Sequence, residues 1–195
     1  GGGSGLVEAT LLHEYIEKRF LDTGTPKELT CIHALGIGDR EDRGMNRFAH
    51  KGMVRRVIGG HWVWSPKMQQ LARENSIEAY VLPGGVIMQL MREVAAKRPG
   101  LITHVGLGTF VDPLQDGGRM NEAAVDPLVE RITIDGKDYL RYLPIPIDVA
   151  LLKGSYADEE GNISLDEEPA NLDIYAMAAA AHNSGGKVIF QVRKK

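Results

Sequence analysis

Cysteine is almost missing: Cys31 is the only one in 195 residues, so no disulfide framework can form within the chain. Set in Leu29-Thr30-Cys31-Ile32, it reads as a small core residue and not as a nucleophile. An excess of positive charge is missing too. Lys and Arg number 23 against 26 Asp and Glu, a net charge of −3, which argues against a polyanion-binding surface and against nucleic acid as a partner. Arg193-Lys194-Lys195 reads as a solvated tail. No apolar run is long enough to cross a bilayer and no signal peptide is legible, so the expectation is a cytoplasmic protein with no membrane partner. The common chemical signatures are also absent. Without a G-x-G-x-x-G in register or a G-x-x-x-x-G-K-[ST], the usual nucleotide cradles have no support. Without a G-x-S-x-G elbow, the simplest serine-hydrolase reading falls. His13, His33, His50, His61, His104 and His182 show no metal-ligand spacing with one another or with Cys31, so no metal site is expected.

Glycine is what the chain has in plenty, 23 in all. Hydrophobic residues at 43% and charged residues at 25% are ordinary globular values, and the length suits one domain over 1–195. Gly1-Gly2-Gly3-Ser4-Gly5 reads either as an engineered flexible linker or as a working loop whose bare main-chain N–H groups admit a ligand. Behind it, Val7, Leu11, Leu12, Tyr15 and Ile16 recur at helical spacing and predict an amphipathic helix ended by Thr23-Gly24-Thr25-Pro26. Strands are expected over 28–33, 54–58 and 77–82, with helices near 47–52, over 66–74 and over 86–97. That alternation, joined by short Gly/Pro connections, predicts an α/β fold with an open, mostly parallel sheet flanked by helices. The rhythm breaks after Phe110. Residues 131–134 and 139–142 alternate across Asp135-Gly136, a hairpin signal, so a β-hairpin insertion is expected near 129–142. A strand over 148–156, an alanine-rich helix over 170–182 and a last strand over 187–192 complete the pattern.

In an open α/β sheet ligands bind beyond the carboxyl ends of the strands, where strand-to-helix loops gather. The glycine-dense segments 1–5, 36–44, 59–60, 84–85 and 106–108 fall where such loops belong, and together they would make a cleft floored by backbone amides. Each glycine taken singly is as well explained by a tight turn or a helix cap. Few groups are on hand to react with a bound ligand. Glu8 is expected in the first turn of the first helix, beside the glycine loop, where its plain role is to complement the helix N-terminus. Asp112, before Pro113, reads as a turn-capping residue. Residues 39–43 (DREDR) read as a self-paired, solvated charge cluster, and the indole of His61-Trp62 as part of a core.

Read together, the segments resemble the family I coenzyme A transferases, in their acetate/propionate branch. Residues 3–9 (GSGLVEA) are similar to the second part of that family's amino-terminal glycine signature, whose preceding strand this sequence lacks. Residues 36–44 (GIGDREDRG) are similar to its G-x-G-D-R-x-D-R-G loop, Gly60-His61-Trp62 to its G-H-W, and residues 106–113 (GLGTFVDP) to its G-x-G-T-F-x-D-P. Asn183-Ser184-Gly185-Gly186 before a terminal strand also fits, so the likeness runs in order over nearly the whole chain. It favours the working-loop reading of residues 1–5.

The resemblance implies ping-pong transfer of CoA between a short-chain acyl-CoA and a carboxylate, through a glutamyl-CoA thioester. It places the nucleophilic glutamate in a second half or β-type subunit, outside this sequence, so the chain is expected to be inactive alone and to associate into a homo- or hetero-oligomer. It implies that Gly2, Gly3, Gly5, Gly84, Gly85, Gly106, Gly108, Thr109 and Phe110 belong to the substrate, CoA and oxyanion loops. Coenzyme A would be a substrate, with no permanently bound cofactor. Two departures stand out: Val7 where proline is common, and Gly84 where a glutamine resembling an active-site hydrogen-bond donor is typical. The rival readings are a non-catalytic acyl-CoA-binding or assembly module and an acyl-CoA hydrolase.

Overall fold

A computed structural model describes residues 8–194. Helix α1 (Thr10–Thr23) ends at Gly24, whose left-handed φ of 70° turns its N–H back to the Phe20 carbonyl at 2.7 Å. Strands β1 (Leu29–His33), β2 (Val54–Gly59) and β3 (Glu78–Val81) form a parallel sheet in the order β1-β2-β3, with Cys31 opposite Val57 and Ile58 opposite Tyr80. A 3₁₀ turn (Met45–Phe48) and helix α2 (Pro66–Arg73) lie in the β1–β2 and β2–β3 connections. Pro66 occupies the first turn of α2, where its missing N–H costs nothing. Helix α3 (Gly84–Ala95) follows β3, and Val86, Ile87, Leu90, Met91 and Val94 form its buried face. Each such side chain contributes roughly 1.5–3 kcal/mol on burial.

The chain then leaves the parallel pattern. Strands β4 (Leu101–Thr103), β5 (Val129–Ile134) and β6 (Lys137–Tyr142) form an antiparallel sheet in the order β4-β6-β5. The β5–β6 hairpin turns on Asp135-Gly136, with φ of 50° and 75°, the conformation that Asp-Gly accepts and most pairs resist. Strands β7 (Val149–Lys153) and β10 (Lys187–Gln191) pair in parallel, β8 (Tyr156–Ala157) and β9 (Ile163–Ser164) form a small hairpin between them, and helix α4 (Ile174–Asn183) completes the crossover. Ala176, Ala180 and Ala181 are buried on α4, and these small side chains let it pack closely on α3.

Two cores cover the faces. The larger joins α3, α4, β7 and the antiparallel sheet around Leu90, Leu140, Tyr142 and Leu152. The smaller joins α2, the 3₁₀ turn and β2 around Met53, Val57, Trp62 and Met68. The α/β class and the hairpin are as the sequence implies. Some details differ. Among the described residues the parallel strands form two separate sheets, of three strands and two. The expected strand over 148–156 breaks at Gly154, where any Cβ would run into Ile163, so its end becomes β8. Strand β4 carries no alternation over its three residues and takes its place only through β6.

Candidate functional site

The ends of β1, β2 and β3 come together through backbone alone. A Cβ on Gly60 would overlap the Ala34 carbonyl and lie 3.1 Å from the Gly84 Cα, while one on Gly84 would lie 2.6 Å from that same carbonyl. The two glycines therefore allow three chain segments to touch where side chains would hold them apart. A side chain at position 84 would require the Ala34 carbonyl to shift. His61 sits above this junction, its Nε2 accepting the Gly36 N–H at 3.0 Å. His33 lies beneath, 2% exposed, its Nδ1–H donating to the Leu35 carbonyl at 2.7 Å, and burial pushes the ring down to about 4.

Helix α3 starts at this junction, and its N-cap is Pro83, which offers no side-chain hydrogen bond. The amides of Gly84, Gly85 and Val86 therefore head the helix without an intrahelical acceptor. Gly85 is exposed, and a Cβ built on it meets nothing within 4 Å. Among the described residues, nothing covers the positive end of the helix dipole at Gly85.

The 106–110 loop follows β4 and so springs from the antiparallel sheet, not from a parallel strand as the glycine pattern suggests. It nevertheless reaches the same place. The Phe110 carbonyl accepts the Gly118 N–H at 3.0 Å, and the Gly118 carbonyl accepts the Val81 N–H at 2.8 Å, at the end of β3 and three residues before Gly84. Gly106 (φ 101°) packs beneath the Tyr142 hydroxyl, and Gly108 has φ 72°. The Phe110 ring is 49% exposed, so it is not core.

This loop is not the set of bare amides that its glycines imply. Gly108 N–H donates to Asp112 Oδ2 at 2.8 Å, Leu107 N–H to the His104 carbonyl and Thr109 N–H to the Gly106 carbonyl, while the Thr109 hydroxyl also bonds Gly106 O at 2.8 Å. Asp112 is fully buried and also accepts the Leu114 N–H at 3.0 Å and Arg131 Nη1 at 2.8 Å. The Gly108 and Leu114 amides, helped by Arg131, hold its carboxyl below the usual range. Tyr142 donates its hydroxyl to the Val105 carbonyl at 2.9 Å, and burial beside Asp112 pushes it up to about 12. The turn-capping role read for Asp112 holds. Its partner Arg131, 19 residues away, carries no signal in the sequence.

Glu8 departs from expectation. It precedes the N-cap residue Ala9 instead of occupying the first helical turn, and its carboxylate is buried 3.7 Å from His13 Nδ1, with no hydrogen bond among the described residues. Trp62 is core, its Nε1 donating to the Tyr80 carbonyl at 3.3 Å. In the 39–43 cluster, Asp39 accepts the amides of Glu41, Asp42 and Arg43, while Arg40 stacks 4.4 Å from the Trp64 ring centre. Burial pushes the Cys31 thiol up to about 12, which keeps it protonated and unreactive at neutral pH. Gly2, Gly3 and Gly5 lie outside the described residues. An open depression of about 300 Å³ lined by Trp62, Gln69, Arg73, Met120 and Asn121 includes none of the predicted loop residues. No helix among the described residues is long and apolar enough to cross a membrane.

Comparison with known proteins gives this geometry its context. The family described as Coenzyme A transferase matches residues 5–189. The chain is 41% identical over 194 residues to an acetate CoA-transferase, YdiF, of Escherichia coli (strain K12), covering 100% of this chain and 36% of that protein. It is 46% identical over 177 residues to a caffeate CoA-transferase of Acetobacterium woodii, covering 91% of this chain and 34% of the relative. Among solved structures, the acyl-CoA transferase YdiF of Escherichia coli O157:H7, in a thioester complex with CoA, superimposes with a TM-score of 0.97 at 41% identity, over 100% of this chain and 38% of that one. The chain thus spans about a third of the length of the curated relatives it matches.

Proposed function

The chain belongs to the coenzyme A transferase family, and from that premise we propose that it forms one wall of an enzyme exchanging CoA between a short-chain acyl-CoA, of acetate or propionate type, and a free carboxylate. The nucleophile is a glutamate from a second half or β-type subunit. Its carboxylate oxygen attacks the thioester carbonyl; the tetrahedral oxyanion collapses, CoA thiolate leaves and an acyl-glutamyl anhydride remains. The thiolate then attacks the glutamyl carbonyl, releasing the acyl group as its carboxylate and leaving a glutamyl-CoA thioester. The acceptor carboxylate attacks that thioester, thiolate departs again, and its attack on the new acyl carbonyl yields the product acyl-CoA and restores the glutamate.

Each step gathers negative charge on a carbonyl oxygen, and a preorganised N–H donor aimed at it is worth about 3 kcal/mol. The observation that carries the proposal is the uncapped start of α3, with Gly84 and Gly85 at the junction of three strand ends and the 106–118 loop docked beside it. Gly84 and Gly85 would admit the thioester to the helix amides, and Thr109 and Phe110 would flank the acyl group, the exposed ring covering it. Residues 1–195 would act as a single domain, with Gly2, Gly3 and Gly5 completing the wall, and CoA entering only as substrate. The thioester complex of a 41%-identical relative supports the covalent route.

Gly85→Val tests the assignment, because no described residue stands within 4 Å of a Cβ at that position. In the chain assembled with its companion half, turnover should fall roughly a hundredfold or more with an unchanged melting temperature, the scale of losing one oxyanion donor. Unaltered kinetics would remove the α3 N-terminus from the site.

A further inference from the structure

The buried carboxylate of Asp112 does more than close a turn. It accepts the Gly108 N–H and the Arg131 guanidinium on the same oxygen, Oδ2, both at 2.8 Å, and the Leu114 N–H on Oδ1. Arg131 stands on β5 and its other nitrogen, Nη2, donates to Asp138 Oδ2 on β6 at 2.8 Å, where Thr133 also donates to Oδ1. One planar guanidinium therefore ties the hairpin to the loop through two carboxylates, a span that a lysine ammonium cannot reproduce.

The consequence falls on the loop amides. Leu107, Gly108 and Thr109 donate inside the loop. Among the described residues neither the Phe110 nor the Gly106 N–H meets an acceptor; Phe110 is exposed, whereas Gly106 is half-buried and any Cβ there would run into the Tyr142 hydroxyl. Resting on the CoA-transfer reading above, we propose that Asp112, clamped by Arg131, is a positioning residue that turns the Gly108 N–H inward and leaves the Phe110 N–H as the loop's donor to the oxyanion. The hairpin is then part of the catalytic frame, although it supplies no group that touches substrate. The carboxylate cannot be the nucleophile, since both its oxygens are already occupied by donors and it is sealed from solvent.

The test uses the chain assembled with its companion half and two readouts: steady-state CoA exchange, and hydrogen exchange of the loop amides. Asp112→Asn should lower kcat roughly tenfold or more with KM within about twofold, because alignment in the transition state is lost and ground-state binding is kept. The Gly108 amide should exchange at least tenfold faster while the β3 amides keep their protection. Arg131→Gln, at a partly exposed position, should show the same pattern more weakly, and Arg131→Lys should not restore it. A lowered melting temperature with kcat and Gly108 protection unchanged in both Arg131 variants would overturn the proposal. Should the unmutated assembly show no exchange at all, the CoA-transfer reading itself fails, and the oxyanion role of Phe110 with it; the Gly108 amide then reports loop order alone.

Discussion

Two walls of the candidate site are built by opposite means. At the β1–β2–β3 ends, Gly60 and Gly84 let backbone lie on backbone, and the arrangement is fixed by the side chains that are not there. In the 106–118 segment, Asp112, Arg131 and Tyr142 fix the backbone through side-chain hydrogen bonds. The first wall can fail only by steric intrusion; the second can be loosened one bond at a time.

The contrast is broken most severely at Gly60. Gly60→Val would drive a side chain into the Ala34 carbonyl and should cost about 4 kcal/mol, the range of severe overpacking. Thermal unfolding checks it: a melting temperature within a degree or two of the parent would show that the junction yields. Next comes pH. The His33 ring, pushed down to about 4 by burial, is neutral in the fold and titrates near 6.5 when unfolded. Stability should be complete above pH 6.5 and decline as pH falls toward 4, by about 3 kcal/mol. Denaturant melts at pH 7 and 4.5, with an NMR titration of the ring, measure this; titration near 6.5 in the folded protein would contradict it.

On the second wall, Asp112→Ala leaves the Gly108 and Leu114 amides and Arg131 without their acceptor and should cost about 2 kcal/mol. Because the folded carboxyl titrates below its ordinary range, its contribution is present above pH 4 and is lost as pH falls through its folded value. A denaturation midpoint equal to the parent's at pH 7 would count against the clamp. The smallest effect on stability belongs to Phe110→Ala, whose ring is half exposed: the change should stay within about 0.5 kcal/mol, while KM for acyl-CoA in the assembled enzyme rises. Loss of stability with unchanged KM would make Phe110 a packing residue.

Much of this was legible in the chain. Asp135-Gly136 announces the hairpin because few other pairs accept its backbone conformation, and the period of α3 announces its buried face. The site's frame was less so. Glycine marked both walls but not their difference: Gly84 needs its missing Cβ for contact with Ala34, whereas Gly108 needs its positive φ. Glu8 looked like a helix-dipole partner because Val7 to Ile16 has helical spacing, yet the helix begins two residues after it and the carboxylate is buried. Arg131 was invisible, since its meeting with Asp112 depends on how the hairpin folds over the loop.

Whether this chain supplies amides and not the nucleophile to a CoA-transfer site is decided by chromatographic CoA exchange between acetyl-CoA and propionate, first with this chain alone and then with a companion half that carries the glutamate. Propionyl-CoA should form in the mixture and none from the chain alone. Exchange by the chain alone, or none in the assembled mixture, would contradict this expectation.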